Sequence, residues 1–247
     1  MRAWLNRRAE EPHERGFLFV VTYGRSGSTL LMGLLNTIPG YRIRGENANA
    51  LHHLYQAVRA VRDGRETHQG GNRATDPWYG VDQWRPDGFE RALVDAFVAN
   101  VLRPAPGDRV LGFKEIRYTS EHVKDLDGYL DFLRTAFPQS RIVFNHRLPA
   151  DVAKSAWWAQ NPHALKRIEA ADARMRAVPA DDRHFHFQFD EIDDSLANIR
   201  QLFGWLGEEV DEQRVRRTLQ TPHSYRPGEE SGVRAMAKRA LGAAGLR

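Results

Sequence analysis

Residues 16–36 read GFLFVVTYGRSGSTLLMGLLN, and no other stretch limits the possible folds of this chain so tightly. The apolar run Phe17–Val21 has the length and composition of a buried strand. After Thr22 and Tyr23 the chain turns through Gly24-Arg25-Ser26-Gly27-Ser28-Thr29, and Leu30, Leu31, Leu34 and Leu35 then recur at helical spacing. A strand, a glycine-punctuated turn and a helix aim backbone N–H groups and a positive helix end at an anion. Gly24 and Gly27 allow close approach of the backbone to a ligand. Ser26, Ser28 and Thr29 add hydroxyl donors, and Arg25 adds a forked cation. The stretch predicts a phosphate- or sulfate-binding loop. It is not a Walker A loop: the glycines are three apart, and Ser28 stands where that pattern requires lysine. The bland alternative, a chance Gly–Ser turn, leaves the arginine and the hydroxyls unexplained.

The 247 residues suit one α/β domain with a substantial core. A formal net charge of +4, from 36 Lys and Arg against 32 Asp and Glu, fits an anionic ligand in one cleft better than a surface that coats nucleic acid. Without cysteine there is neither a disulfide framework nor a thiolate metal site. The first residues lack a signal-peptide apolar core, and no run is long enough to cross a bilayer. A soluble, cytoplasmic protein with no integral membrane segment is expected.

Further along, Tyr41–Arg44 reads as a short strand ending at Gly45-Glu46-Asn47, and a helix is predicted over about 48–61. Residues 62–85 are polar and glycine-rich, with Trp78, Tyr79 and Trp84; they predict a long loop whose aromatic rings either stack on an acceptor or form the loop's own core. Pro86 starts a helix with Phe89, Leu93, Phe97 and Val101 on one face. Strands are expected at 109–116, 141–147 and 184–189, and helices at 123–137, 149–160, about 172–178, 194–206 and 211–219. Alternating strands and helices predict a single α/β domain, a central parallel sheet flanked by helices, with ligands at its carboxyl edge. An N-terminal extension (1–15), the main domain (16–220) and a C-terminal loop and tail (221–247) complete the division.

A second anion signal lies where the strand 141–147 ends: Arg147 is followed eight residues later by Ser155, expected in the second turn of the next helix. GRSGSTLL after the first strand, with R-x-P-x-x-x-x-x-S after a later one, resembles the sulfotransferase superfamily that uses 3′-phosphoadenosine 5′-phosphosulfate. That resemblance implies the P-loop-NTPase-like sulfotransferase fold. It also implies that Gly24, Arg25, Ser26, Gly27, Ser28 and Thr29 hold the sulfuryl end of the donor, and that Arg147 and Ser155 hold its 3′-phosphate. The opening arginine looks like the carbohydrate and tyrosylprotein branch. Glu46, seven residues past Pro39, matches the glutamate proposed as base in the tyrosylprotein enzymes, and Lys114 matches a lysine thought to stabilise the transferring group. Phe189-Asp190-Glu191-Ile192 and Phe203-Gly204-Trp205-Leu206-Gly207 resemble the family's Y-E-D-L and F-L-G region, with Phe189 in place of the usual tyrosine. Ser224 and Arg226 are assigned to a C-terminal cofactor loop.

The reaction implied is transfer of the sulfuryl group to an acceptor hydroxyl, on a saccharide or glycolipid, with a tyrosine or small phenol as the alternative and no metal required. Structural readings stand beside these: Glu46 as a solvated residue after an edge strand, Lys114 as an ion-pair partner of Glu115, and His184 and His186 as core or surface histidines rather than metal ligands. Trp157 and Trp158 are expected to split, one ring packed and the other near the cleft. Two rival functions remain, a P-loop kinase or NTPase with Asp190 on magnesium, and a non-catalytic nucleotide-binding relative.

Overall fold

The computed structural model describes residues 15–221 apart from 69 and 72. Five strands form one parallel sheet: β1 (Gly16–Val21), β2 (Tyr41–Arg44), β3 (Val110–Glu115), β4 (Ser140–His146) and β5 (His184–Gln188), in the order β2-β3-β1-β4-β5. The registers align Val20 with both Lys114 and Val143, and Arg44 with Phe113. Every strand therefore delivers its carboxyl end to the same edge.

The alternation of β1 sorts its apolar run between two cores. Phe17, Phe19 and Val21 face the first, with Phe113, Phe144 and side chains of the helices α2 (Ala50–Thr67), α3 (Pro86–Phe97), α4 (Leu126–Ala136) and α6 (Ala164–Arg176). Leu18 and Val20 face the second, with α1 (Ser28–Leu35), α7 (Ala197–Leu206) and α8 (Glu212–Gln220). The helix following β1 thus covers one face of the sheet, whereas the helices following β4, namely α5 (Pro149–Ala153) and α6, cover the other. Chain leaving two neighbouring strands in opposite directions opens a crevice between them, the topological switch point at which α/β sheets bind ligands.

Several predicted boundaries shift. The helix expected over 48–61 extends to Thr67, so the start of the expected 62–85 loop is helical. The helix expected to begin at 172 starts at Ala164. On α3 the predicted stripe is displaced: Phe97 is buried, whereas Phe89 and Val101 are exposed and Val94 and Val98 pack instead. The helix expected over 149–160 breaks in two, because Ser155 is extended and Ala156 has φ 49° before the short turn Ala156–Gln160. No helix among the described residues is long and apolar enough to cross a membrane.

Candidate active site

The loop after β1 is held from beneath by buried polar side chains. Thr22 Oγ1 lies 2.7 Å from both Ser26 Oγ and the Asn145 carbonyl, and Asn145 Nδ2 donates to the Ser26 carbonyl at 2.9 Å. Trp158 Nε1 donates to the Gly24 carbonyl at 3.0 Å. Arg25 (φ 71°) and Gly27 (φ 80°) occupy the left-handed region. For arginine this costs about 1–2 kcal/mol. Its own bonds offset the cost: Nε donates to Ser155 Oγ at 3.1 Å, and its carbonyl accepts from Arg147 Nη1 at 3.2 Å. Leu30 and Leu31 donate to the Gly27 carbonyl, while the N–H groups of Ser26–Thr29 find no acceptor among the described residues. A row of free N–H groups at the start of α1 is a nest for an anion.

Gly24 and Gly27 also carry out a second task, beyond the turn itself. A Cβ on Gly27 would lie 2.1 Å from two carbons of the Phe189 ring, and one on Gly24 would meet Trp157 at 2.5 Å. Both glycines make room for aromatic neighbours as well as for the turn. The tryptophan pair splits, Trp158 being buried and Trp157 exposed beside the Arg25 guanidinium, 5.8 Å from its ring centre.

Arg147, just beyond β4, turns towards this loop. Its guanidinium lies over the Phe189 ring at 5.0 Å and its Nε is buried without a hydrogen-bond acceptor, the nearest carboxylate oxygen, Asp190 Oδ1, being 3.8 Å away. Asp190 Oδ2 accepts from the Leu148 N–H at 2.6 Å and from Gln188 at 3.0 Å. The aspartate that a kinase reading would give to magnesium is thus committed to the chain leaving β4. Ser155 comes within reach of Arg25 because the helix is interrupted there, not because it occupies a second turn.

On the other side of β1 the pairing of β2 with β3 brings Glu46 to Lys114, with Nζ 2.7 Å from Oε1. The lysine side chain is buried, and the glutamate is about one-third exposed (37%). Lys114 therefore pairs with Glu46 and not with Glu115, as expected when residues 114 and 115 face opposite sides of a strand. Glu115, to which the motifs assign no role, is wholly buried; its Oε2 accepts from the N–H groups of Asn47 (3.1 Å) and Asn49 (2.9 Å), and its Oε1 accepts from Ile116 (2.8 Å). It fixes the loop that carries Glu46. The available signal was two adjacent charges closing an otherwise apolar strand, which puts one charge into each core.

Ser224 and Arg226 lie outside the described residues. The described residues between 68 and 85 connect α2 to α3 at the end of α2 away from Ala50. There Trp84 packs on Gly64, about 21 Å along the helix axis from Ala50. A cavity of about 410 Å³ at the amino edge of the sheet, lined among others by Phe17, Tyr41 and Arg141, contains none of the predicted site residues.

The model of the sulfotransferase family matches residues 18–212. The chain belongs to the sulfotransferase family. Among solved structures, the sulfotransferase domain from the Synechococcus PCC 7002 olefin synthase aligns at 20% identity over 87% of this chain and 82% of that chain, with a TM-score of 0.52. At that identity the likeness shows the fold alone. Sulfotransferase STF9 from Mycobacterium avium aligns at 18% identity over 83% and 67% of the two chains, with a TM-score of 0.43. No curated protein matches the chain. Within this sulfotransferase, no cluster of three His, Asp or Glu residues able to hold a metal occurs among the described residues.

Proposed function

We propose that this sulfotransferase moves the sulfuryl group of 3′-phosphoadenosine 5′-phosphosulfate to a hydroxyl of a saccharide or glycolipid. The observation that carries the donor assignment is the meeting of Arg25, Ser155 and Arg147 beside the unbonded N–H groups of Ser26–Thr29. Two cations and a row of donors spread along one crevice suit a ligand with two anionic ends. The buried, unpartnered Nε of Arg147 supports the same reading.

Bound there, the donor supplies a sulfuryl group already activated by its bond to the 5′-phosphate. The chain has three tasks. Arg25 and the N–H groups hold the end at which charge develops, an electrostatic role that costs no rearrangement at the moment of reaction. Arg147 and Ser155 hold the 3′-phosphate and set the register of the nucleotide. Glu46 takes the proton from the acceptor hydroxyl as its oxygen bonds to sulfur. Lys114, released from its pair as Glu46 is protonated, then faces the transferring group as a free cation. Glu46 is partly exposed, so an acceptor in open solution can reach it, and this suits a hydroxyl on a large, hydrated partner better than one on a small molecule that must be engulfed.

The test is a thermal-shift comparison of adenosine 3′,5′-bisphosphate with ATP plus magnesium. Stabilisation by the bisphosphate alone, without magnesium, is expected, amounting to about 2.7 kcal/mol at a hundredfold excess over Kd. Selective stabilisation by ATP and magnesium overturns the donor assignment.

A further inference from the structure

Behind Arg147 runs a buried line of hydrogen bonds that the site has not yet used. The Tyr23 hydroxyl lies 2.8 Å from Asp172 Oδ1 and 2.9 Å from the Arg147 carbonyl, and accepts from the Arg147 N–H at 3.2 Å. Asp172 Oδ1 is 2.6 Å from His146 Nδ1, His146 Nε2 is 2.8 Å from His186 Nδ1, and His186 Nε2 is 2.8 Å from the Val178 carbonyl. His146 is wholly buried and immediately precedes Arg147.

Both ends of this line are acceptors, so its protons can be counted. His146 Nδ1 must carry one to meet the carboxylate, and His186 Nε2 must carry one to meet the carbonyl. The contact between the two rings needs a third. Three protons on two imidazoles make one positive charge. Its location follows from the surroundings. Burial disfavours charge on His186 and, with Arg176 and His184 beside it, outweighs the favourable hydrogen bond to the Val178 carbonyl. His146, in contrast, touches a carboxylate. The charge sits on His146, which donates both to Asp172 and to a neutral His186. The groups facing the pair are Tyr23 from the loop after β1, Asp172 and Arg176 from α6, and His184 from β5, with the Phe144 ring stacked on His186 at 5.1 Å. Asp172 Oδ2 is taken by Arg176 Nε at 2.6 Å. The Tyr23 hydroxyl has one proton for two acceptors, Asp172 Oδ1 and the Arg147 carbonyl; the ionised carboxylate is the stronger of the two and takes it, which leaves the hydroxyl oxygen to accept from the Arg147 N–H.

We propose that Asp172 is a positioning residue that holds the main chain at Arg147 through Tyr23 and a doubly protonated His146, and thereby sets the enzyme's selectivity for a nucleotide bearing a 3′-phosphate. The inference rests on the reading of Arg147 given above. Tyr23 stands at the head of one anion loop and Arg147 at the head of the other, so the carboxylate ties together the two ends of the nucleotide site. Asp172 itself touches neither end.

The experiment measures the affinities of the full-length chain for adenosine 3′,5′-bisphosphate and adenosine 5′-monophosphate by calorimetry. The native chain prefers the bisphosphate. Tyr23→Phe and Asp172→Asn each lower that preference about tenfold, the equivalent of one charge-assisted hydrogen bond, with bisphosphate affinity falling by more than monophosphate affinity. Equal affinities in the native chain overturn the reading of Arg147 and this inference with it. A native preference that survives both substitutions, in variants with native melting temperatures, overturns the inference alone. Independently of any variant, ¹⁵N NMR of the native chain at neutral pH should show both ring nitrogens of His146 protonated and only Nε2 of His186. Two neutral imidazoles would remove the proton count on which the proposal stands.

Discussion

Two buried carboxylates sit beneath the site and hold its two sides in different ways. Glu115, under the proposed acceptor side, bonds main chain directly: three N–H groups, at Asn47, Asn49 and Ile116, with Arg117 Nη1 at 3.2 Å as its cation. Asp172, under the proposed nucleotide side, bonds only side chains among the described residues, those of Tyr23, His146 and Arg176. The first arrangement imposes one backbone conformation, including the left-handed Ala48 (φ 57°) and Asn49 (φ 62°), whatever the side chains of that loop are. The second works through intermediates, each of which can be replaced separately. A loop whose side chains face a variable acceptor gains from the first kind of support. A loop proposed to bind one fixed nucleotide gains from the second, which locks particular side chains together.

If this division is right, the acceptor side should respond to substitution in turnover and the nucleotide side in affinity. The largest effect belongs to Glu46→Gln, which removes the proposed base: steady-state kinetics should show turnover lower by roughly 10²–10⁴-fold with nucleotide affinity unchanged. An equal loss of nucleotide affinity would make Glu46 a structural group and abolish the distinction between the two sides. Next comes Glu115→Gln, which turns an amide NH₂ towards N–H groups that need an acceptor. Urea unfolding should show a loss of about 1–3 kcal/mol. Turnover should fall with it as the Glu46 loop loosens, while bisphosphate binding to the folded fraction persists. If unfolding and turnover are both unmoved, main-chain support by Glu115 is not what orders that loop.

The same contrast separates what could be read from the sequence from what could not. The loop after β1 was legible because its chemistry is local: strand, turn, hydroxyls, arginine and helix lie within twenty-one residues. The sheet was legible because apolar runs alternate with helical patterns, and the pairing of β1 with both β3 and β4 follows the chain's return to either side of it. The partner of Lys114 depended on strand register, which no spacing in the sequence reveals; alternation argued against Glu115, but only the pairing of β2 with β3 selects Glu46. Ser155 reaches Arg25 through a break at Ala156, a residue with no bias towards the left-handed region, so nothing local signalled it. Phe189 lacks the hydroxyl of the family tyrosine, yet its ring fills the space above Gly27 and lies against the Arg147 guanidinium. The line from Tyr23 to His186 joins four separate segments and was invisible for that reason: His186 looked like one of two histidines on a strand face, and Asp172 like an ordinary residue on a helix.

The smallest of the three effects tests the nucleotide side by pH. Burial alone would raise the pKa of Asp172, but hydrogen bonds from His146, Arg176 and Tyr23 outweigh it and hold the carboxyl at about 2, against 3.8 ordinarily. A carboxyl depressed on folding stabilises the protein above its unfolded value, and that stabilisation is lost as pH falls through the folded one. The group thus contributes about 2 kcal/mol at pH 5, which disappears between about pH 4 and pH 2. Urea midpoints measured down that range should fall more steeply for the native chain than for Asp172→Asn, which starts less stable and lacks this part of the slope. Parallel curves would mean that the carboxyl is not held ionised by its neighbours. The proposed nucleotide side would then rest on the Thr22, Ser26, Asn145 and Trp158 bonds to the first loop, and the contrast with Glu115 would be one between two main-chain anchors.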